Sequence, residues 1–140
     1  MKVCGVELSS KSASLVLLDG EFENFKVVNI SEPKISISND ESDSDVKAFM
    51  AKIEAFHEKE SIDCYVIRMR KKTGRFAGGA VSFKLEGLFQ LLPCPTVLLT
   101  AKEFNATAKR HAGLFDPSLK KYQENAFYSA LAFLKSKQGG

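Results

Sequence analysis

Val3-Cys4-Gly5-Val6-Glu7-Leu8 is an apolar stretch that carries one carboxylate, and the polar turn Ser9-Ser10-Lys11-Ser12 follows it. Ala13-Ser14-Leu15-Val16-Leu17-Leu18 then restores the apolar pattern, so the segment predicts two strands joined by a short turn. Burying an unpaired carboxylate costs several kcal/mol, which is comparable to the stability of a whole domain. Glu7 therefore requires a specific reason to lie within this strand.

The length and composition of the chain suit one globular domain. The 140 residues with 44% hydrophobic content can bury one core but not two ordinary ones, so we expect a single domain over residues 1–140. No apolar run approaches the ~20 residues that span a bilayer, and the first residues do not resemble a signal peptide. Three widely spaced cysteines favour reduced thiols over a disulfide framework. We therefore expect a cytoplasmic protein without a membrane partner.

The rest of the chain alternates between helical and strand patterns. A third strand is predicted over residues 22–30, with a short edge extension at 34–38. Helix patterns follow at 46–61, up to about residue 92, at 102–111 and towards the C-terminus, and short strands are predicted at 64–67 and 96–99. Asp116-Pro117 is typical of an N-cap followed by proline at the first helical position, so it predicts the start of the last helix. Tyr122, Ala126, Phe127, Ala130, Leu131 and Leu134 are its predicted inward positions.

This element order predicts an α/β fold. Three antiparallel strands followed by a β-α-β-α order give a five-stranded mixed sheet with helices on both faces. The order resembles that of ribonuclease-H-like domains, including Holliday-junction resolvases of the RuvC type and their YqgF-like relatives. Gly5-Val6-Glu7-Leu8 and the helical segment 124–131 carry the resemblance. The chain also resembles a small uncharacterised bacterial family through its opening and Gly78-Gly79-Ala80-Val81-Ser82-Phe83-Lys84.

The resemblance implies a metal-dependent nuclease site, which this chain matches only in part. Such domains hold divalent ions with acids from the first strand, from the end of the fourth strand and from the last helix, and two-metal chemistry requires these carboxylates to converge. Glu7 matches the first position, but Arg68 stands near the second. The acid of the last helix aligns best with Asn125, beside Glu124. We therefore expect no catalytic or metal-binding residues, and expect Glu7 to pair with Arg68 across the parallel strands.

The nuclease nevertheless remains one alternative. A divergent enzyme of this kind would use Glu7, Glu124 and Asp116, with Glu7 and Glu124 as ligands of Mg²⁺ or Mn²⁺.

A basic, glycine-containing loop follows the fourth strand of the main sheet. It contains five cations within eight residues and then glycines at a helix start: Arg68, Arg70, Lys71, Lys72, Arg75, Gly78 and Gly79. Backbone N–H groups, the helix dipole and the cations can together hold an anion at this end of a parallel strand. The alternative interpretation is a solvated basic turn.

The sequence thus leaves three functions open. The favoured one is a non-catalytic module that uses no cofactor and binds nucleic acid or another phosphate-bearing ligand through the basic loop. A net charge of +3 is compatible with this function without requiring it. The metal-dependent nuclease and a protein-interaction scaffold or homodimer are the alternatives.

Overall fold

The computed structural model describes residues 1–74 and 79–138, which form six strands, four α-helices and two short 3₁₀ turns. The strands are β1 (Lys2–Ser9), β2 (Ser12–Glu21), β3 (Asn24–Val28), β4 (Lys34–Ser36), β5 (Cys64–Arg68) and β6 (Thr96–Leu99). The helices are α1 (Asp43–Glu60), α2 (Ala80–Gln90), α3 (Ala101–Arg110) and α4 (Glu124–Lys137). The 3₁₀ turns are Ala112–Leu114 and Lys121–Gln123.

The strands form one mixed sheet in the order β3-β2-β1-β5-β6. β1, β2 and β3 pair antiparallel, whereas β5 lies parallel to both β1 and β6. The predicted α/β fold is therefore confirmed, and the predicted edge extension is the short strand β4, which pairs with the start of β2. The parallel register aligns Val6 with Ile67, so Glu7 and Arg68 follow side by side at the carboxyl ends of their strands.

The two faces of the sheet bury separate apolar cores, because successive residues of a strand point to opposite faces. On one face, Val6 and Ile67 pack with Phe49 of α1 and Phe89 of α2. On the other face, strand residues such as Val3 and Val66 pack with α4 and with Phe104 of α3. The predicted layering with helices on both faces is correct. Glu7 and Arg68 share the strand alternation of Val3 and Val66, so they lie on the face covered by α3 and α4.

Gly5 allows α4 to lie directly on β1. A Cβ atom at this position would lie only 1.8 Å from the carbonyl oxygen of Ala126. Gln123, immediately before α4, donates through Nε2 to the carbonyl oxygen of Leu15 at 2.9 Å, while Leu134 lines a cleft with Met1. The helix therefore runs antiparallel to β1, and its first turn lies towards the end of β1 that carries Glu7.

The predicted start of the last helix is wrong. Asp116 accepts a hydrogen bond from the amide of Ser118 at 2.8 Å and closes a turn with Leu119 at 3.1 Å, and α4 begins only at Glu124. Asp followed by Pro suits the first two positions of a type I turn as well as a helix start, so the pair does not distinguish them. Tyr122 consequently lies outside α4 and is exposed, whereas the other predicted inward residues of this helix are buried.

The expectations about membrane spans and cysteines can be compared with the structure. Across residues 1–74 and 79–138, the structure contains no helix with the length and apolar character needed to cross a membrane. Cys4 and Cys64 are buried free thiols and Cys94 is a half-buried one.

Candidate functional site

Glu7 accepts hydrogen bonds from two arginines. Nη2 of Arg68 lies 2.6 Å from Oε2 of Glu7, as the parallel strand register predicts. Nη1 of Arg70 lies 3.3 Å from the same oxygen, a contact that the sequence did not predict because Arg70 lies beyond the end of β5. The pairing of Glu7 with Arg68 is confirmed. Two guanidinium groups on one carboxylate give this cluster a formal charge of +1.

The cluster is recessed in the protein surface. Glu7 is 8% exposed, and the side chains of Arg68 and Arg70 are 25% and 26% exposed. A buried carboxylate is tolerated when charged donors replace its hydration, and hydrogen bonds between ionised groups are the strongest of their kind. The arginines thus account for the acid within β1, and they remain partly accessible to solvent.

Phe104 supports Arg68 from the neighbouring helix. Its ring centroid lies 4.6 Å from the guanidinium carbon of Arg68, which is the distance range of a cation–π contact. The first turn of α3 is fixed by a capping box in which Thr100 and Glu103 bond reciprocally. The spacing Thr100-x-x-Glu103 is visible in the sequence and could have located this helix start. The stacking itself depends on how α3 docks, for which the sequence gives no signal.

Nε of Arg68 is buried without a hydrogen-bond partner in the described part of the chain. A buried N–H group without an acceptor is costly, since it has lost its hydration. The other described cations of the loop are more accessible: Lys71 and Lys72 are exposed. Lys72 also influences the pKa of Glu86 in α2. Burial raises the pKa of the Glu86 carboxyl, and the positive charge of Lys72 opposes that shift.

Three further residues belong to the predicted anion-binding loop: Arg75, Gly78 and Gly79. Gly79 is the N-cap of α2 and, having no side chain, adds no side-chain capping bond to the helix start. Among the described residues, no atom lies within 4 Å of the position that a Cβ atom at Gly79 would take. Arg75 and Gly78 lie outside the described residues.

The three acids of the nuclease alternative each interact with different neighbouring residues. Glu124 pairs with Lys121 at 2.8 Å, and hydrogen bonds from Ser118 lower the pKa of the Asp116 carboxyl. Within residues 1–74 and 79–138, no group of three or more His, Cys, Asp or Glu side chains is placed to hold a metal ion. Oε2 of Glu7 already binds two cationic side chains. The described residues therefore do not fit a divalent metal centre of the kind that the resemblance implies.

Comparison with solved structures places this arrangement in a known fold. The chain is similar to Thermus thermophilus RuvC, with a TM-score of 0.74, 11% identity, and coverage of 99% of this chain and 97% of the other. T. thermophilus RuvC in complex with a Holliday junction substrate gives a TM-score of 0.68, 9% identity, and coverage of 99% and 96%. Fowlpox virus resolvase in complex with Holliday junction DNA gives 0.54, 12% identity, and coverage of 99% and 99%.

The protein therefore has the ribonuclease-H-like fold of the resolvases, as the sequence resemblance indicated. Within this fold class, the chain belongs to the family described as Protein of unknown function (DUF3010), whose model matches residues 1–133. None of the curated proteins compared with the chain matches it.

Proposed function

We propose that the protein binds nucleic acid without cleaving it, at a cationic edge formed by Arg68, Arg70, Lys71 and Lys72. The contact of two guanidinium groups with one buried carboxylate carries this proposal, because it leaves net positive charge at the carboxyl ends of β1 and β5. Ligands of open α/β sheets bind at this end of the strands. Phosphates supply most of the electrostatic affinity of nucleic acids for such cationic surfaces.

The fold supports nucleic acid as the ligand class. Two of the similar structures are resolvases bound to Holliday junctions, so this fold can present a DNA-binding surface. At 9% and 12% identity, that similarity supplies a candidate ligand and no shared residues. Branched DNA is accordingly the first ligand to test.

The chemistry around Glu7 supports binding without cleavage. Metal-assisted hydrolysis of a phosphodiester requires carboxylates that are free to bind the ion. Glu7 instead accepts hydrogen bonds from Arg68 and Arg70, while Glu124 pairs with Lys121 and Asp116 accepts a hydrogen bond from Ser118. Guanidinium groups can bind a phosphate, but they cannot lower the pKa of a bound water as a metal ion does.

Fluorescence anisotropy of labelled DNA tests this proposal. We expect a four-way junction, a duplex or a single strand to bind with an affinity that falls as salt rises from about 50 to about 200 mM. Replacing both Lys71 and Lys72 by Ala should reduce the slope of log K against log salt by about 1.8, if each lysine contacts one phosphate of a duplex.

The matched control is Lys59→Ala combined with Lys137→Ala, which removes the same charge from two exposed lysines. Both lysines lie at the opposite end of β1. Lys59 precedes Glu60, whose carbonyl oxygen accepts a hydrogen bond from Nζ of Lys2, and Lys137 lines a cleft with Met1. An equal loss of affinity in the control, or no binding of any DNA, would overturn the proposal. Cleavage in Mn²⁺ that disappears in Glu7→Gln would establish the nuclease instead. A salt-insensitive oligomer that retains no nucleic acid would establish the scaffold.

A further inference from the structure

We infer that Glu7 is a positioning residue, which holds Arg68 and Arg70 as one preformed pair for a single phosphate group. This inference deepens the proposed function and depends on it for the identity of the phosphate as part of a nucleic acid. The recessed pair recognises one phosphate, and the exposed lysines contact neighbouring phosphates of the same nucleic acid.

The shared oxygen provides the geometric basis. Nη2 of Arg68 and Nη1 of Arg70 both donate to Oε2 of Glu7, at 2.6 and 3.3 Å. The two guanidinium groups are thereby held next to each other, although the like charges would otherwise repel them. A guanidinium carries five N–H donors, so one bond to Glu7 leaves most of them for another acceptor.

Arg68 is restrained further by its surroundings. Its guanidinium lies against the ring of Phe104, with the guanidinium carbon 4.6 Å from the ring centroid. A side chain fixed in this way loses little freedom when it binds a ligand, which favours affinity through preorganisation. A phosphate group suits the pair because the planar guanidinium fork matches two of its oxygens.

The role of Glu7 gives the inference an unusual consequence. Net charge alone predicts that neutralising Glu7 strengthens phosphate binding, since the local charge rises from +1 to +2. Positioning predicts the opposite, because glutamine offers the arginines only a neutral amide oxygen, which is a weaker acceptor than the carboxylate that holds them together. The sign of the change in affinity in Glu7→Gln therefore distinguishes the two.

The experiment is a titration of the intact protein with inorganic phosphate, followed through the Nε–Hε NMR signals of arginine at constant ionic strength in chloride. We expect saturable shifts of the Arg68 and Arg70 signals in the wild type. In Glu7→Gln we expect an affinity about tenfold lower, by analogy with the loss of groups that orient metal ligands. An unchanged or higher affinity in this variant overturns the inference, as does a wild type whose two signals do not respond.

Arg70→Lys is the second variant, and it protects the test against misfolding. Arg70 lies beyond β5 and is partly exposed, so this variant keeps both the fold and the charge. It removes only the fork geometry, and we expect it to bind phosphate about as weakly as Glu7→Gln does. Wild-type affinity in Arg70→Lys would show that charge alone binds the anion.

The two proposals fail in different ways. Loss of phosphate binding in Glu7→Gln, together with no binding of DNA by the wild type, leaves the arginine pair and removes nucleic acid as its ligand. Salt-dependent DNA binding that requires Lys71 and Lys72 but is unaffected by Glu7→Gln leaves the proposed function and removes the positioning role.

Discussion

The Glu7 carboxylate and its two arginines are expected to contribute to folding as a unit. Arg68→Met keeps an unbranched side chain against Phe104 but removes the closer of the two charges at Glu7. We expect the free energy of unfolding to fall by about 3 kcal/mol, because the loss of one member leaves a buried charge undercompensated. Urea denaturation at neutral pH measures this change.

The double variant Glu7→Leu with Arg68→Met provides the control for that measurement. Both charges are then absent, and Arg70 can turn its guanidinium towards solvent. We expect the double variant to be more stable than either single variant, with a coupling energy of about 2 kcal/mol between the two positions. Strictly additive losses would mean that the observed ion pair contributes nothing to the folded state.

The same residues show how far the sequence could predict the site. Glu7 and Arg68 could be paired because strand order and register follow from apolar patterns and from the helix that connects two parallel strands. The contact of Arg70 depends on the path of the chain after β5, and the stacking of Phe104 depends on the docking of α3. Neither depends on a local pattern, so neither could be read from the sequence.

Glycine has opposite effects at two positions, one at the contact between β1 and α4 and the other inside α2. Gly5→Ala would place a Cβ atom 1.8 Å from the carbonyl oxygen of Ala126, and only a movement of the backbone can relieve that overlap. We expect a loss of about 3 kcal/mol in the free energy of unfolding, at the upper end of the usual cost of overpacking. Thermal and urea unfolding with far-UV circular dichroism measure it.

Gly87→Ala is the matched substitution, because a Cβ atom there meets none of the described residues within 4 Å and the residue lies inside α2. Alanine restricts the unfolded chain and favours the helix, so we expect a gain of about 0.5–1 kcal/mol. Equal effects at the two positions would contradict the close approach of α4 to β1.

Elements built on continuous patterns were predicted well, whereas one defined by a local signal was not. The strands and the first helix followed from repeated apolar positions, which many residues support together. The start of α4 was inferred from Asp116-Pro117 alone, and that pair forms a turn instead. A signal of two residues is easily satisfied by either structure, and tertiary packing of the following residues decides between them.

At the scale of the whole molecule, two carboxyl groups should shift the pH dependence of stability in opposite directions. Burial raises the pKa of Glu86, so the fold favours its protonated form. The contribution of protonated Glu86 to the free energy of unfolding is complete below the unfolded-state pKa of about 4.3, and it is lost as the pH rises through the folded-state pKa. Hydrogen bonds from Ser118 lower the pKa of Asp116. That contribution is present above an unfolded-state pKa of about 3.9 and is lost as the pH falls through the folded-state value.

Glu86→Gln and Asp116→Asn separate these contributions, because each variant removes one titration and retains a side chain of similar shape. We expect Glu86→Gln to be more stable than the wild type at neutral pH, and Asp116→Asn to be less stable. Both differences should shrink towards zero in acid, as each wild-type carboxyl becomes protonated. Urea denaturation across this pH range gives the two difference curves. Curves of the same sign would contradict the assigned environments. If Lys72 offsets the burial of Glu86, the stability difference caused by Glu86→Gln should be larger in a Lys72→Ala background. A difference that does not grow there would contradict this role of Lys72.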